Sequence, residues 1–296
     1  GMQTREEDVV TKLFLSSNHS YLLYFTDMGR VYRTKTYNIP EAGRTAKGTP
    51  VVNIIEKSPE EKISEIIPVK EFSDNEYLVM VTKNGIIKKT PASEYESIRK
   101  SGKIAITLKE GDELISIFKT TGNDNIFLAT RNGMAICFNE NDARAVGRTA
   151  SGVKAIDLAD GDYVVGAEPV REDSKVLLVT DGGYGKCTDL TSFRIQHRGG
   201  KGLKAYKITE KTGNIIGISM VNDSEELIMV TSEGVVIRIR IKDIATTTGR
   251  ITQGVRLINL DDGVTVVSMD KISAEDAVEE ESEENNTEVT TETTEE

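Results

Sequence analysis

The residues best equipped for chemistry lie between Ser192 and Lys207, SFRIQHRGGKGLKAYK, where Arg194, Arg198, Lys201, Lys204 and Lys207 surround Gly199, Gly200 and Gly202. No acid interrupts residues 190–209. Cations beside glycine amides suit the holding of an anion: guanidinium and ammonium groups pair with phosphate oxygens, and glycine lets a backbone N–H approach closely. Gln196 and His197 add polar groups able to contact backbone oxygens. A single basic glycine loop is most often a solvated turn, so only recurrence would make it a site.

The pattern does recur. RTAKG, RTASG, RGGKG and RITQG place Arg44, Arg148, Arg198 and Arg250 four residues before Gly48, Gly152, Gly202 and Gly254. IRKSG keeps Arg99 and Lys100 slightly out of register before Gly102. Residues 42–55, 97–109, 143–156, 190–209 and 244–260 contain no Asp or Glu, yet together hold sixteen Lys and Arg. The candidate anion-binding residues from these windows are Arg44, Lys47, Arg99, Lys100, Lys103, Arg144, Arg148, Lys154, Arg194, Gln196, His197, Arg198, Gly199, Gly200, Lys201, Gly202, Lys204, Lys207, Arg250 and Arg256. Excluding acids from one loop of every repeat concentrates positive potential at one structural position, the footprint of a polyanion partner.

The net charge of −11 argues against such a partner until it is divided along the chain. Eleven acids and no base follow Lys271, so the remainder holds 37 acids against 37 Lys and Arg. Residues 273–296 are therefore expected to form an acidic tail too polar to fold. Catalysis has little material. Two histidines and two unpaired cysteines, Cys137 and Cys187, suit neither a metal centre nor a hydrolytic triad, and the cysteines read as reduced packing residues. No metal or cofactor is expected. No apolar run reaches the ~18 residues of a membrane span and no signal peptide is evident, so a cytoplasmic protein is expected.

The elements that must position these loops repeat too. LLYFTDMGRVYR, LVMVTKNGIIKK, IFLATRNGMAIC, LLVTDGGYGKCT and LIMVTSEGVVIR each read as an apolar strand, a polar turn ending in glycine, and a second strand. The turn glycines, Gly29, Gly85, Gly133, Gly183 and Gly234, lie 56, 48, 50 and 51 residues apart. Asn84-Gly85 and Asn132-Gly133 predict two-residue hairpin turns. Between hairpins, VVNII then ISEIIPV, and KIAITL then ELISIF, predict two further strands per module. Five modules of about four strands each predict an all-β, propeller-like body over residues 1–272, with the acid-free loops forming a belt.

QHRGGKG, Gln196 to Gly202, resembles the Gln-Arg-Arg-Gly-Gly-Lys-Gly box of the DNA gyrase A chain. REEDVVTKLF, GRVYRTKTYNIPEAGRTAKGTPVVNII, the fifty-residue modules and the acidic end resemble the C-terminal domain of that chain across residues 2–272. The resemblance implies a β-pinwheel whose outer rim wraps duplex DNA and which carries no catalytic residue. DNA cleavage and ATP hydrolysis would then belong to the rest of the gyrase A chain and to the gyrase B chain, its partners in an A2B2 enzyme of the bacterial cytoplasm and nucleoid. The family's box stands in its first blade, upstream of REED, so the resemblance also implies a fragment lacking that blade. His197 stands where the box has a cation. The equivalent domain of topoisomerase IV, a protein-binding propeller scaffold and, least favoured, a propeller enzyme are the competing readings.

Overall fold

The computed structural model describes residues 16–42 and 46–273. Its strands are numbered along the chain. Each module opens with a hairpin: β1 (Tyr21–Thr26) with β2 (Arg30–Lys35), β4 (Tyr77–Thr82) with β5 (Ile86–Pro91), β8 (Asn125–Thr130) with β9 (Met134–Asn139), β12 (Lys175–Thr180) with β13 (Tyr184–Asp189), and β16 (Glu226–Thr231) with β17 (Val236–Arg240). A third long strand pairs antiparallel with the first strand of each hairpin. These are β3 (Ile63–Val69), β7 (Leu114–Thr120), β11 (Val164–Pro169), β15 (Ile215–Val221) and β20 (Val266–Ile272). The chain is all-β, with short 3-10 turns and no α-helix among the described residues.

The hairpin turns are one residue longer than Asn-Gly suggests. The Gly85 N–H donates to the Thr82 carbonyl at 3.0 Å, and the Ile86 N–H to Thr82 Oγ1 at 3.1 Å. Gly85 alone takes positive φ, +83°, so Lys83-Asn84-Gly85 forms a three-residue loop ending in a glycine bulge. The Thr-x-x-Gly pattern gives the same two bonds in all five hairpins, and all five threonines are buried.

The first strand of each of the first four hairpins is buried on both faces, because its alternating side chains enter two different cores, whereas β16 buries only the Leu227 and Met229 face. Leu78 and Met80 pack with Leu23 and Phe25 of the preceding module, whereas Val79 and Val81 pack with Ile126 and Leu128 of the following one. Leu177 and Val179 meet Leu227 and Met229 in the same way. A fully buried side chain of this kind contributes roughly 1.5–3 kcal/mol, so the modules hold each other together chiefly through these shared layers. Strands β3, β7, β11, β15 and β20 pack in succession and together line a central channel.

The outermost strand of a sheet comes from elsewhere. Two-residue strands β6 (Lys103–Ile104), β10 (Val153–Lys154), β14 (Leu203–Lys204) and β19 (Val255–Arg256) pair with β2, β5, β9 and β13, each in the sheet of the preceding module. Thr246–Thr247, β18, adds a parallel pair to β13. Each module thus completes its predecessor. The fifth sheet differs from the four-stranded expectation: it has only β17, β16 and β20 among the described residues. Val236 is about half exposed there, whereas its counterpart Val31 on β2 is wholly buried. VVNII also departs from expectation, since Val51–Asn53 is a 3-10 turn starting after Pro50.

Candidate nucleic-acid interface

Four of the five acid-free loops are the segments that carry β6, β10, β14 and β19, and each of these lies at the sheet edge farthest from the central channel, whereas residues 42–55 carry no edge strand among the described residues. Glycine permits the crossing onto the neighbouring module. Gly202 has φ +74°, and a Cβ there would overlap the carbonyl oxygen of Ala135 on β9. Gly152 and Gly254 make the same approach to the carbonyls of Ile87 and Gly185. The glycines that suggested phosphate contact therefore also serve backbone packing.

Around this frame the candidate residues divide in two. Lys47, Arg99, Lys100, Arg144, Lys154, Arg194, Lys201, Lys204, Lys207 and Arg256 are exposed, and Lys103 is half-buried. Within the described residues, Lys154 is paired with Asp157 at 3.2 Å, and Arg256 donates to the Tyr184 hydroxyl at 3.0 and 3.2 Å. Arg148, Arg198 and Arg250 are half-buried, with guanidinium groups directed at backbone carbonyls. Arg44 lies outside the described residues, as do residues 274–296 of the acidic tail.

The QHRGGKG loop rests on its neighbour. The Gln196 N–H donates to the Cys137 carbonyl at 2.8 Å, and its side-chain oxygen is buried without a hydrogen-bond partner among the described residues. Gly199 N–H donates to the Ala155 carbonyl at 2.7 Å, while the Gly200 carbonyl accepts from the Asp157 N–H at 2.9 Å. The His197 side chain is 99 % exposed, with Nδ1 3.3 Å from Asp142 Oδ2. That carboxylate also accepts from the Arg198 N–H at 3.0 Å. Asp142 belongs to the preceding module, so folding brings an acid beneath a loop that has none in its own sequence.

Two further cations escaped the sequence reading. Lys88 and Lys186 stand three residues after their hairpin glycines, where other modules have Tyr32, Ile136 and Ile237, and both are fully buried. Lys88 donates to the carbonyls of Ala105 and Arg148. Burial, with Arg148 nearby, pushes its pKa down to about 7. Lys186 donates to the Arg250 carbonyl at 2.6 Å and to Thr252 Oγ1 at 3.0 Å, and burial lowers its pKa to about 8. Aligning the modules on the turn glycines would have exposed both as lysines at a core-facing register.

Strand-exchanged blades about a channel, with cations along their outer edges, define a β-propeller of the pinwheel kind. The profile of the family described as DNA gyrase C-terminal domain, beta-propeller, matches residues 20–70, 76–121, 124–171, 174–222 and 225–273, and the chain belongs to that family. Among sequence relatives it is 49 % identical over 276 residues to the DNA gyrase A chain of Clostridium acetobutylicum. It is 55 % identical over 276 residues to that of Halalkalibacterium halodurans. Each alignment covers 93 % of this chain, which spans about a third (33 %) of the length of either relative. Among solved structures, the C-terminal domain of DNA topoisomerase IV superposes with TM-score 0.82 at 28 % identity, covering 92 % of this chain and 84 % of the other. The DNA gyrase A C-terminal domain superposes with TM-score 0.74 at 25 % identity, covering 86 % and 83 %. No helix among the described residues is long and apolar enough to cross a membrane.

Proposed function

We propose that this domain binds duplex DNA along its outer edge and bends it around the blades, as the non-catalytic DNA-wrapping part of a gyrase. Cleavage and ATP hydrolysis would belong to the remainder of the gyrase A chain and to the gyrase B chain. The observation that carries the reading is positional: the same cation-bearing segment forms the outer edge of four consecutive sheets. Exposed Lys and Arg at such an edge meet phosphates more readily than base edges, so recognition follows charge and bendability rather than sequence. Gyrase is preferred to topoisomerase IV because of the Arg-Gly-Gly-Lys-Gly sequence and the gyrase A relatives. The higher TM-score with the topoisomerase IV domain keeps that enzyme as the second reading.

The test is binding to duplexes of increasing length across a salt titration, with end-to-end distance read by energy transfer. The expected result is log affinity falling linearly with log salt, by about 0.9 per phosphate neutralised, and tighter, bent binding of long duplexes. Smooth bending of a site by 40–90° costs on the order of 1–6 kcal/mol, so several loops must act together. Straight DNA at saturation would refute wrapping while leaving simple binding standing.

A further inference from the structure

Arg148, Arg198 and Arg250 make one arrangement three times. The Arg198 guanidinium donates through Nη1 to the Lys154 carbonyl at 3.0 Å, and the Asp157 N–H returns a bond to the Gly200 carbonyl at 2.9 Å. Arg250 donates through Nε to the Lys204 carbonyl at 3.2 Å, with Lys207 N–H returning to the Thr252 carbonyl at 3.0 Å. Arg148 donates to the Ile104 carbonyl, with Thr107 N–H returning to the Ala150 carbonyl at 3.3 Å. In each case the arginine reaches the second residue of the preceding edge strand, and the amide three residues later returns to the carbonyl two residues beyond the arginine. The fork has a second tooth in two cases: Arg198 Nε donates to the Asp142 carbonyl at 2.9 Å, and Arg250 Nη1 to the Ser192 carbonyl at 3.3 Å. Asp142 and Ser192 both end the 3-10 turn that follows their hairpin.

We propose that these three arginines are positioning residues that fasten each cation-bearing loop to the next, so that DNA held by one loop orders its neighbour. The proposal rests on the DNA-binding reading of the edge. Three links join four loops into one belt. The guanidinium groups face inward toward carbonyls, leaving the exposed Lys201, Lys204 and Lys207 to face the polyanion. The Arg198 guanidinium spreads its donors over two separated nitrogens, Nε and Nη1, that reach carbonyls of different segments, whereas the three donors of a lysine share one nitrogen. Arginine would thus be required at these positions for geometry rather than for charge.

The test is Arg198→Lys, which keeps the charge and removes the fork. Hydrogen exchange of the Asp157 amide in the free protein reports the link to Gly200. Salt-titrated binding reports phosphate contacts, using a duplex of about 10 base pairs, one helical turn, and another of about 40. The expected result is about tenfold faster exchange at Asp157, an unchanged salt slope, and a roughly tenfold smaller advantage of the long duplex over the short one. Unchanged exchange at Asp157 or an undiminished long-duplex advantage in Arg198→Lys overturns the proposal, and so does a salt slope smaller by about one in the charge-removing variant Arg198→Gln, because Arg198 would then be a phosphate contact. If Arg198→Lys does not fold, Arg250→Lys with the Lys207 amide and Arg148→Lys with the Thr107 amide give the same readout at independent links. Wild-type protein that binds neither duplex at low salt would refute DNA binding, and with it any cooperative grip. The exchange data alone would then decide whether the loops are fastened.

Discussion

The buried ammonium of Lys186 lies 2.6 Å from the carbonyl oxygen of Arg250, beneath the loop that closes the fourth sheet. Lys88 holds the Arg148 carbonyl in the same way two modules earlier. Both lysines titrate below the ordinary value of 10.5, near 7 for Lys88 and 8 for Lys186. Between those values and ~10.4 each lysine binds more protons in the unfolded chain than in the folded one, so its contribution makes stability rise with pH. Each lysine adds at most about 1.4 kcal/mol per pH unit, and below pH ~7 neither adds any pH dependence. Urea unfolding from pH ~7 to ~8, below the range in which unfolded thiols and tyrosines titrate, should show the rise. Lys88→Met and Lys186→Met should each flatten it, and a wild-type curve that is level or falls over this range would count against buried charge at these sites.

Gly202→Ala should destabilise the domain by about 1–3 kcal/mol, since it needs positive φ and puts a Cβ against the Ala135 carbonyl. Gly147→Ala, in the preceding loop with open space and no positive φ, should stay within about 0.5 kcal/mol. Urea midpoints of the two variants make the comparison. Equal effects would mean that the crossing glycine has no special place in the sheet edge.

Replacing Arg194 and Lys201 by alanine removes two exposed cations that have no side-chain hydrogen bond or ion pair among the described residues. Affinity for duplex DNA should fall uniformly across sequences, and the salt slope should decrease by about 0.9 for each phosphate no longer neutralised. Lys83 and Arg131 offer the contrast. They flank the Tyr163 ring at 4.7 and 5.8 Å, and Lys83 lies 3.8 Å from Glu113, so their removal should matter less. Equal reductions would point to a diffuse positive field instead of a belt.

Removing residues 273–296 deletes eleven carboxylates that could compete with DNA for the basic edge. Short-duplex affinity should increase at low ionic strength and converge with that of the intact chain at ~1 M salt, where the screening length is about 3 Å. Identical affinities throughout the titration would assign the tail no role against the body.

Cys137 and Cys187 are buried, and burial lifts both thiols to about 11. Neither should react with a thiol reagent at neutral pH unless the domain unfolds. Rapid modification of the native protein would show local opening of β9 or β13.

The five modules were legible because a Thr-x-x-Gly hairpin is a local event, with turn bonds spanning three or four residues. The strand flanking each hairpin was legible for the same reason, through runs such as ISEIIPV and ELISIF. The partner of Val153–Lys154 was not. Two residues carry too little pattern to say which sheet they join, and the choice rests on how modules pack. VVNII looked extended by composition, yet it follows Pro50 and closes into a 3-10 turn at Val51–Asn53. The basic character of the edge was visible in the spacing of acids. The inward use of Arg198 was not, because its acceptors, Asp142 and Lys154, lie 56 and 44 residues away. Buried Lys186 was hidden by chemistry, since an ammonium is ordinarily read as a surface group.

The donation of each outer strand by the following module gives the fold a direction in time as well as in space. A chain synthesised from its N-terminus forms the β4–β5 hairpin well before residues 153 and 154, which close that edge, have emerged. Each nascent blade therefore waits about one module's length of translation with an unpaired edge, and is sealed when its successor's loop leaves the ribosome. Synthesis arrested between modules would strand one incomplete blade at the growing end and leave the earlier ones finished.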